Sequence, residues 1–265
     1  MNILFVGDIF GSAGRQIVKE HIGHVVETNN VELLIMNAEN AAGGFGVTPA
    51  IAEELFALGA DVLTTGNHVW DKRELIDFYK SADGDVHSIA RRILRPANFP
   101  EGTPGWGVYE GVTKKGTPYM VANLQGRVFM ANNDDPFRLA DDLIARSKAK
   151  VIFIDFHAEA TSEKVALGWY LDGRVTALIG THTHVPTADE RVLPNGTAYQ
   201  TDVGMSGPYD SVIGVQKEQI IQRFLSNLPG KFEAAKGDPR MAAVLIACDP
   251  QTGKATSIKR LMLGQ

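Results

Sequence analysis

Disulfide bonding is excluded at the outset, because the 265 residues contain a single cysteine, Cys248, and no CxxC pair that could hold zinc. Cys248 sits in the apolar run MAAVLIACDP and reads as a small buried hydrophobe. No apolar run approaches the ~20 residues that a bilayer span requires. The amino-terminal MNILFVGDIF has no basic leader and meets Asp8 too early for a signal peptide, so a cytoplasmic protein with no membrane partner is expected. An excess of positive charge is also lacking: 26 Lys and Arg stand against 31 Asp and Glu, a formal net charge of -5 with a pI near 5.8. That balance argues against an extended nucleic-acid surface. It leaves room for a nucleotide in a locally positive pocket, since a metal site supplies its own field. Repeats, low-complexity segments and linkers are missing too. With 44% hydrophobic and 22% charged residues, one globular domain over 1–265 is the economical expectation.

What is present is an alternation of strand and helix from the first residue. Asn2 to Gly7 is a short apolar strand ending in glycine, and Ser12 to Thr28 repeats Ile17, Ile22, Val25 and Val26 at helical spacing. Strand Val31 to Asn37 follows, then a helix from Thr48 to Leu58 opened by the cap-and-proline pair Thr48-Pro49. A strand at Asp61 to Thr65 and a helix at Asp71 to Lys80 come next. Residues 81–118 are rich in proline and glycine and predict loops and short strands. Beyond them lie strand Tyr119 to Leu124, helix Pro136 to Lys148, strand Val151 to Phe156, helix Ser162 to Leu171 and strand Val175 to Ile179. Thr197 to Thr201, a helix at Lys217 to Leu228, and strands Ala242 to Cys248 and Ala255 to Met262 complete the chain. Asn195-Gly196-Thr197 matches a glycosylation sequon and is read as a turn. The order predicts an α/β protein with sheets covered by helices. In such folds ligands gather beyond the carboxyl ends of strands.

At those ends the sequence places FVGD (Asp8), MNAEN (Glu39, Asn40), TTGNH (Asn67, His68), IDFH (His157) and GTHTH (His182, His184). Four of the seven histidines fall in this set. Imidazoles suit Zn, Fe, Mn, Ni or Co, and carboxylate and amide oxygens keep the site hard to borderline. A carboxylate such as Glu39 can bridge two metals ~3.5–4 Å apart, the arrangement used in phosphoryl chemistry. Asp8 and Glu39 bring two negative charges, and the histidines and asparagines bring none. Two divalent ions therefore leave the site net positive, ready for an anionic phosphate. In Gly66-Asn67-His68 neighbouring side chains point apart, so Asn67 can ligate while His68 faces substrate as a general acid. GDIFGSAG lacks the GxGxxG spacing, which weakens a dinucleotide reading of Asp8. His21, His24 and His87 read as surface residues, and Arg127 as a surface arginine. Asp155 and Glu159 flank His157 and could either orient its imidazole or simply be solvated.

These blocks resemble the calcineurin-like metallophosphoesterase superfamily, through GNH at 66–68, the lone His157 and THTH at 181–184. Phe10 stands where that superfamily has a metal-binding histidine, and Glu39-Asn40 where it has aspartate. GDIFGSAGR with NAEN and TGNHVWD is similar to the bacterial YmdB-type branch. The resemblance implies a four-layer α-β-β-α sandwich of two mixed sheets flanked by helices. It implies one metal at Asp8, Glu39, Asn40 and His184 and another at Glu39, Asn67, His157 and His182. Two divalent transition-metal ions, iron or manganese with zinc as a further option, would serve a phosphodiesterase acting on a small phosphodiester, 2′,3′- or 3′,5′-cyclic nucleotides. The expected mechanism is attack by a metal-activated hydroxide with His68 as proton donor. Two alternatives stay open at this point: another metallohydrolase such as an amidase, or a metal-dependent nucleotide-binding regulator. Oligomeric state, homo-oligomers included, is not encoded legibly.

Overall fold

A computed structural model of the chain describes residues 1–264. Its first half runs β1 (Asn2–Val6), α1 (Gly11–Thr28), β2 (Val31–Asn37), α2 (Pro49–Ala57), β3 (Val62–Thr64), α3 (Arg73–Ser81) and β4 (Ile93–Leu94). It continues through β5 (Val108–Val112), β6 (Pro118–Gln125), α4 (Pro136–Arg146), β7 (Val151–His157), α5 (Thr161–Tyr170) and β8 (Ala177–Thr181). The remainder is β9 (Arg191–Val192), β10 (Ala198–Gln200), β11 (Gly207–Pro208), α6 (Lys217–Ser226), β12 (Pro239–Cys248) and β13 (Ala255–Gly264). Local chemistry sets several starts. The Thr48 side chain accepts from the Ile51 amide at 3.3 Å, and Asp135 accepts from the Phe137 amide at 2.9 Å, each with proline in the first helical turn.

Strands β1 to β4 run parallel in one sheet, closed on its other side by the antiparallel β12, which also pairs β11 and β13. The second sheet has the order β5-β6-β7-β8-β10-β9, with a parallel centre and antiparallel edges. Both are therefore mixed. Period-two alternation divides each strand between two cores. Ile3, Phe5, Leu33 and Ile35 meet Val121, Phe153 and Ile179 between the sheets, with the Phe5 and Phe153 rings 5.0 Å apart. On the outer face of the first sheet, Leu4, Val6 and Met36 pack on Ile17, Ile22 and Val25 of α1. On the outer face of the second, Ile152, Ile154 and Phe156 pack on Ala140 of α4 and Leu167 of α5. The four layers implied by the resemblance are present.

Differences from the sequence reading fall at element ends and in two short strands it did not include, β9 and β11. The strand expected to stop at Ile179 is β8 and continues to Thr181, which brings Thr181 and the following histidines to the sheet edge. The helix expected to reach Leu228 stops at Ser226, because Asn227 takes a left-handed cap with φ 55°. Within 81–118 the structure forms β4, β5 and a 3-10 turn over Ile89–Arg92.

Candidate metal centre

The carboxyl ends of the parallel strands from both sheets meet along one edge. From the first sheet come Asp8 beyond β1, Glu39 and Asn40 beyond β2, and Asn67 and His68 beyond β3. From the second come His157, the last residue of β7, and His182 and His184 beyond β8. Asp8, Glu39 and His157 are buried, with ligand atoms all within 4.8 Å of one another. Around His157 Nε2 lie Glu39 Oε2 at 2.6 Å, His182 Nδ1 at 3.0 Å and Asn67 Oδ1 at 3.1 Å. Asn40 and His184 pair beside them, Nδ2 to Nε2, at 3.0 Å. Rotating the Asn40 amide by half a turn would present its oxygen at the same point.

The tautomers decide what this cluster can do. His157 Nδ1 lies 2.9 Å from Thr181 Oγ1, whose own proton goes to Asp155 Oδ1 at 2.7 Å. Thr181 must then accept from Nδ1–H, so the neutral His157 ring presents the lone pair of Nε2. His184 Nδ1–H donates to the Ile213 carbonyl at 2.8 Å, which bares its Nε2. His182 Nε2 lies 3.2 Å from Glu159 Oε2, which bares Nδ1. Each imidazole thus has its outer nitrogen against an oxygen atom and its inner nitrogen turned into the cluster, the pattern that orients metal-ligating histidines. Glu39 Oε2 has no donor in hydrogen-bonding geometry despite its nearness to His157, and Asp8 Oδ1 is likewise buried and unpartnered. Lone pairs packed this closely repel unless a cation lies among them, so the donor set fits divalent metals.

Within the cluster the Glu39–His157 pair favours its charged form. Burial opposes charge on both members of the Glu39–His157 pair, yet their mutual attraction prevails. Glu39 is held down at about 2 and His157 pushed up to about 9. Burial, with the charge of His157 next to it, forces His182 down to about 3. Burial also raises Asp8, and it lifts Asp155 to about 7 against the pull of His157, Thr64 and Thr181.

Sequence position alone leaves Asp155 undecided, and the structure gives it a definite place. It is fully buried, accepts from Asn37 Nδ2 at 2.9 Å and Thr64 Oγ1 at 2.5 Å in the first sheet, and from Thr181 in its own. Asn37 Oδ1 in turn accepts from the Glu39 amide at 3.0 Å, so one polar layer between the sheets aims ligands on both. Glu39 Oε1 accepts from the His68 amide at 2.7 Å. His182 and His184 have φ of 102° and 65°, strained values for non-glycine residues. Lys164, buried on α5, and Asp202 brace this turn; sequence reasoning misses both. A lysine in a helix reads as solvated from sequence alone. Asp155 has a better signal: it interrupts the apolar strand VIFIDFH two residues before His157, on the same face.

Phe10 is the residue that the resemblance sets in place of a histidine. It is buried, and its ring meets His184 edge-on at 5.6 Å. Any side chain at Gly66 would collide with the His157 ring and the Glu39 carboxylate. His68 stands apart from the ligand atoms. Its Nδ1 lies 2.9 Å from Asp71 Oδ2, leaving Nε2 for the cavity that it lines. Sequence reasoning does not mark Asp71 as this partner. Arg127 pairs with Asp135 at 3.3 Å, as befits the surface residue expected.

Two mixed sheets sharing an edge of carboxylates, amides and imidazoles define the metallophosphoesterase-like class of α/β protein. Within it the chain belongs to the YmdB-like protein family, whose family model matches residues 4–261. It is 52% identical over 265 residues to a 2′,3′-cyclic-nucleotide 2′-phosphodiesterase of Bacillus subtilis (strain 168), covering 99% of this chain and 97% of that protein. Among solved structures, a hypothetical protein from Thermus thermophilus superposes with a TM-score of 0.91 at 39% identity, over 100% of both chains. A novel phosphatase of Mycoplasma pneumoniae does so with 0.89 at 33% identity, over 100% of this chain and 93% of that one. Among the described residues no helix is long and apolar enough to cross a membrane.

Proposed function

We propose that the chain, acting as one domain, is a phosphodiesterase with two divalent metal ions, and that its substrates are nucleoside 2′,3′-cyclic phosphates. The observation that carries this reading is the set of three imidazoles whose outer nitrogens lie against oxygen atoms, with the inner nitrogen of His157 beside Glu39, Asn67 and His182 and that of His184 beside Asn40. Glu39, Asn67, His157 and His182 would hold one ion. Asp8, Glu39, Asn40 and His184 would hold the other, with Glu39 common to both. Bound there, the ions supply Lewis acidity toward phosphoryl oxygens and bring the pKa of water into the neutral range. Their mixed nitrogen and oxygen donors suit iron or manganese.

The chain's own residues supply the rest. His68 is held by Asp71, which accepts from Nδ1–H and fixes the ring. That leaves the proton on Nε2 facing the cavity, where His68 delivers it to the departing 2′-oxygen. An alkoxide is a poor leaving group, so a diester needs such an acid, whereas a nucleotide-binding regulator would have no use for one. The His68 amide also fixes Glu39, coupling the acid to the carboxylate at the centre of the ligand set. The relative from Bacillus subtilis supports a 2′,3′-cyclic over a 3′,5′-cyclic substrate. The test is metal analysis of the purified protein joined to a panel of 2′,3′-cyclic nucleotides, 3′,5′-cyclic nucleotides, linear diesters and amides. Two equivalents of metal and preferred hydrolysis of the 2′,3′-cyclic compounds are expected. Metal-loaded protein that leaves every phosphodiester intact would refute the proposal.

A further inference from the structure

Over His68, His182 and His184 opens a cavity of about 560 Å³ whose wall differs in kind from its floor. The floor carries Asn40, His182 and His184 from the candidate ligand cluster. The wall is apolar and aromatic, with Phe45, Ile213, Ile220, Phe224 and Phe232 among its residues. A phosphate ester group would be served by the floor alone. Phe45 and Phe224 are nonetheless 41% and 84% exposed, an unfavourable display for large rings unless something planar and apolar covers them. Arg223 supplies the only Lys or Arg side chain among the described residues of the lining, its guanidinium lying over the Phe232 ring 5.1 Å from the centroid.

Helix α6 carries both Arg223 and Phe224 and contributes no residue to the buried core. It is fastened instead to the neighbouring loop, the Gln216 amide donating to the Glu233 carbonyl at 3.0 Å and the Glu233 amide to Gln219 Oε1 at 2.8 Å. Of its apolar residues, Ile220 and Phe224 face the cavity, while Ile221 and Leu225 lie outside the lining. Asn40, His182 and Thr183 of the lining are already engaged, with His184, Glu159 and Asp202. Arg223 is the remaining side chain outside the reacting end that could read the hydrogen-bonding edge of a base.

We infer that α6 and Phe45 form a nucleobase subsite that binds the flat face of the base by stacking, with Phe224 as its principal residue. This rests on the phosphodiesterase reading above. Stacking is tolerant of base identity, because every base has a π-face. Substrates differing only in the base should therefore be used within about 10-fold of one another.

The experiment compares adenosine and uridine 2′,3′-cyclic phosphates with methyl ribofuranoside 2′,3′-cyclic phosphate, which has the same reacting group and no base. Metal-loaded wild type, Phe224→Ala and Phe224→Trp are measured, and the dissociation constant of adenosine 3′-monophosphate is taken by calorimetry as a readout independent of turnover. Wild type should favour the nucleoside substrates on the order of 10-fold in kcat/KM. Phe224→Ala should bring that ratio toward one through KM and weaken adenosine 3′-monophosphate by a similar factor, and Phe224→Trp should restore both. Equal use of base-bearing and base-free substrates by wild type overturns the inference while leaving the phosphodiesterase intact. A ratio unchanged in Phe224→Ala overturns it as well, as does an equal loss on both kinds of substrate. Turnover of neither by wild type removes the phosphodiesterase reading, and the subsite falls with it.

Discussion

Replacing Lys164 with methionine isolates one strong term in the support of the site. The side chains of Lys164 and Asp202 are 0% and 1% exposed, and Lys164 Nζ donates to Asp202 Oδ2 and to the Thr181 carbonyl, both at 2.7 Å. Methionine has a similar length and volume, so little cavity is opened. What changes is the charge: Asp202 is left buried without its countercharge. Breaking a buried pair from one side costs ~3–5 kcal/mol. Asp202 keeps donors from the Thr183 amide, the Thr183 hydroxyl and the Gly204 amide at 3.0, 2.8 and 2.8 Å, which places the loss at the lower end, about 3 kcal/mol. At ~2–4 °C per kcal/mol this is a fall in Tm of about 6–12 °C. Urea unfolding with the slope held fixed measures it directly. The double variant Lys164→Met with Asp202→Asn should regain more than about 1 kcal/mol if the orphaned charge is the cause. A single-variant loss below about 1 kcal/mol, or a double variant no more stable than the single one, would refute the reasoning.

Other consequences are more local. Asp155→Asn leaves one acceptor oxygen where three donors converge, so the His157 ring loses its orientation. Manganese affinity in a competitive chelator titration should fall ~10–100-fold, and unchanged affinity would sink the relay through Thr181. His68→Ala should retain two metals by elemental analysis while turnover drops ~10²–10⁴-fold; lost metal would make His68 a ligand instead. Adding manganese at about 100 times its dissociation constant to chelator-stripped protein should stabilise it by about 2.7 kcal/mol, read as a rise in Tm. No rise at that occupancy would count against a site formed only in the folded chain.

The candidate ligands were legible because chemistry-bearing residues end apolar strands, and strand order alone carries them to one edge. The supports were not, for identifiable reasons. Lys164 looks like any exposed helical lysine until the partner Asp202, 38 residues away, is folded onto it. Thr181 lies beyond the expected end of its strand, so its hydroxyl has no role to suggest. Asp71 reads as an ordinary residue at a helix start, yet it lies one turn from His68 and orients its ring. The aromatic wall of the cavity carries no motif at all: Phe45, Phe224 and Phe232 come from loops and a surface helix that meet only in three dimensions.

Because the ligands are divided between the two sheets, the centre is also a record of assembly. The Asp8 carboxylate waits for the His182 amide 174 positions later in the chain. During synthesis at ~5–20 residues per second that interval is about 10–35 s, in which acidic groups at the amino end stand without their imidazoles. On the proposed reading a cation captured at the end of it would work as a clasp across the seam, and metal uptake would report that both halves have closed.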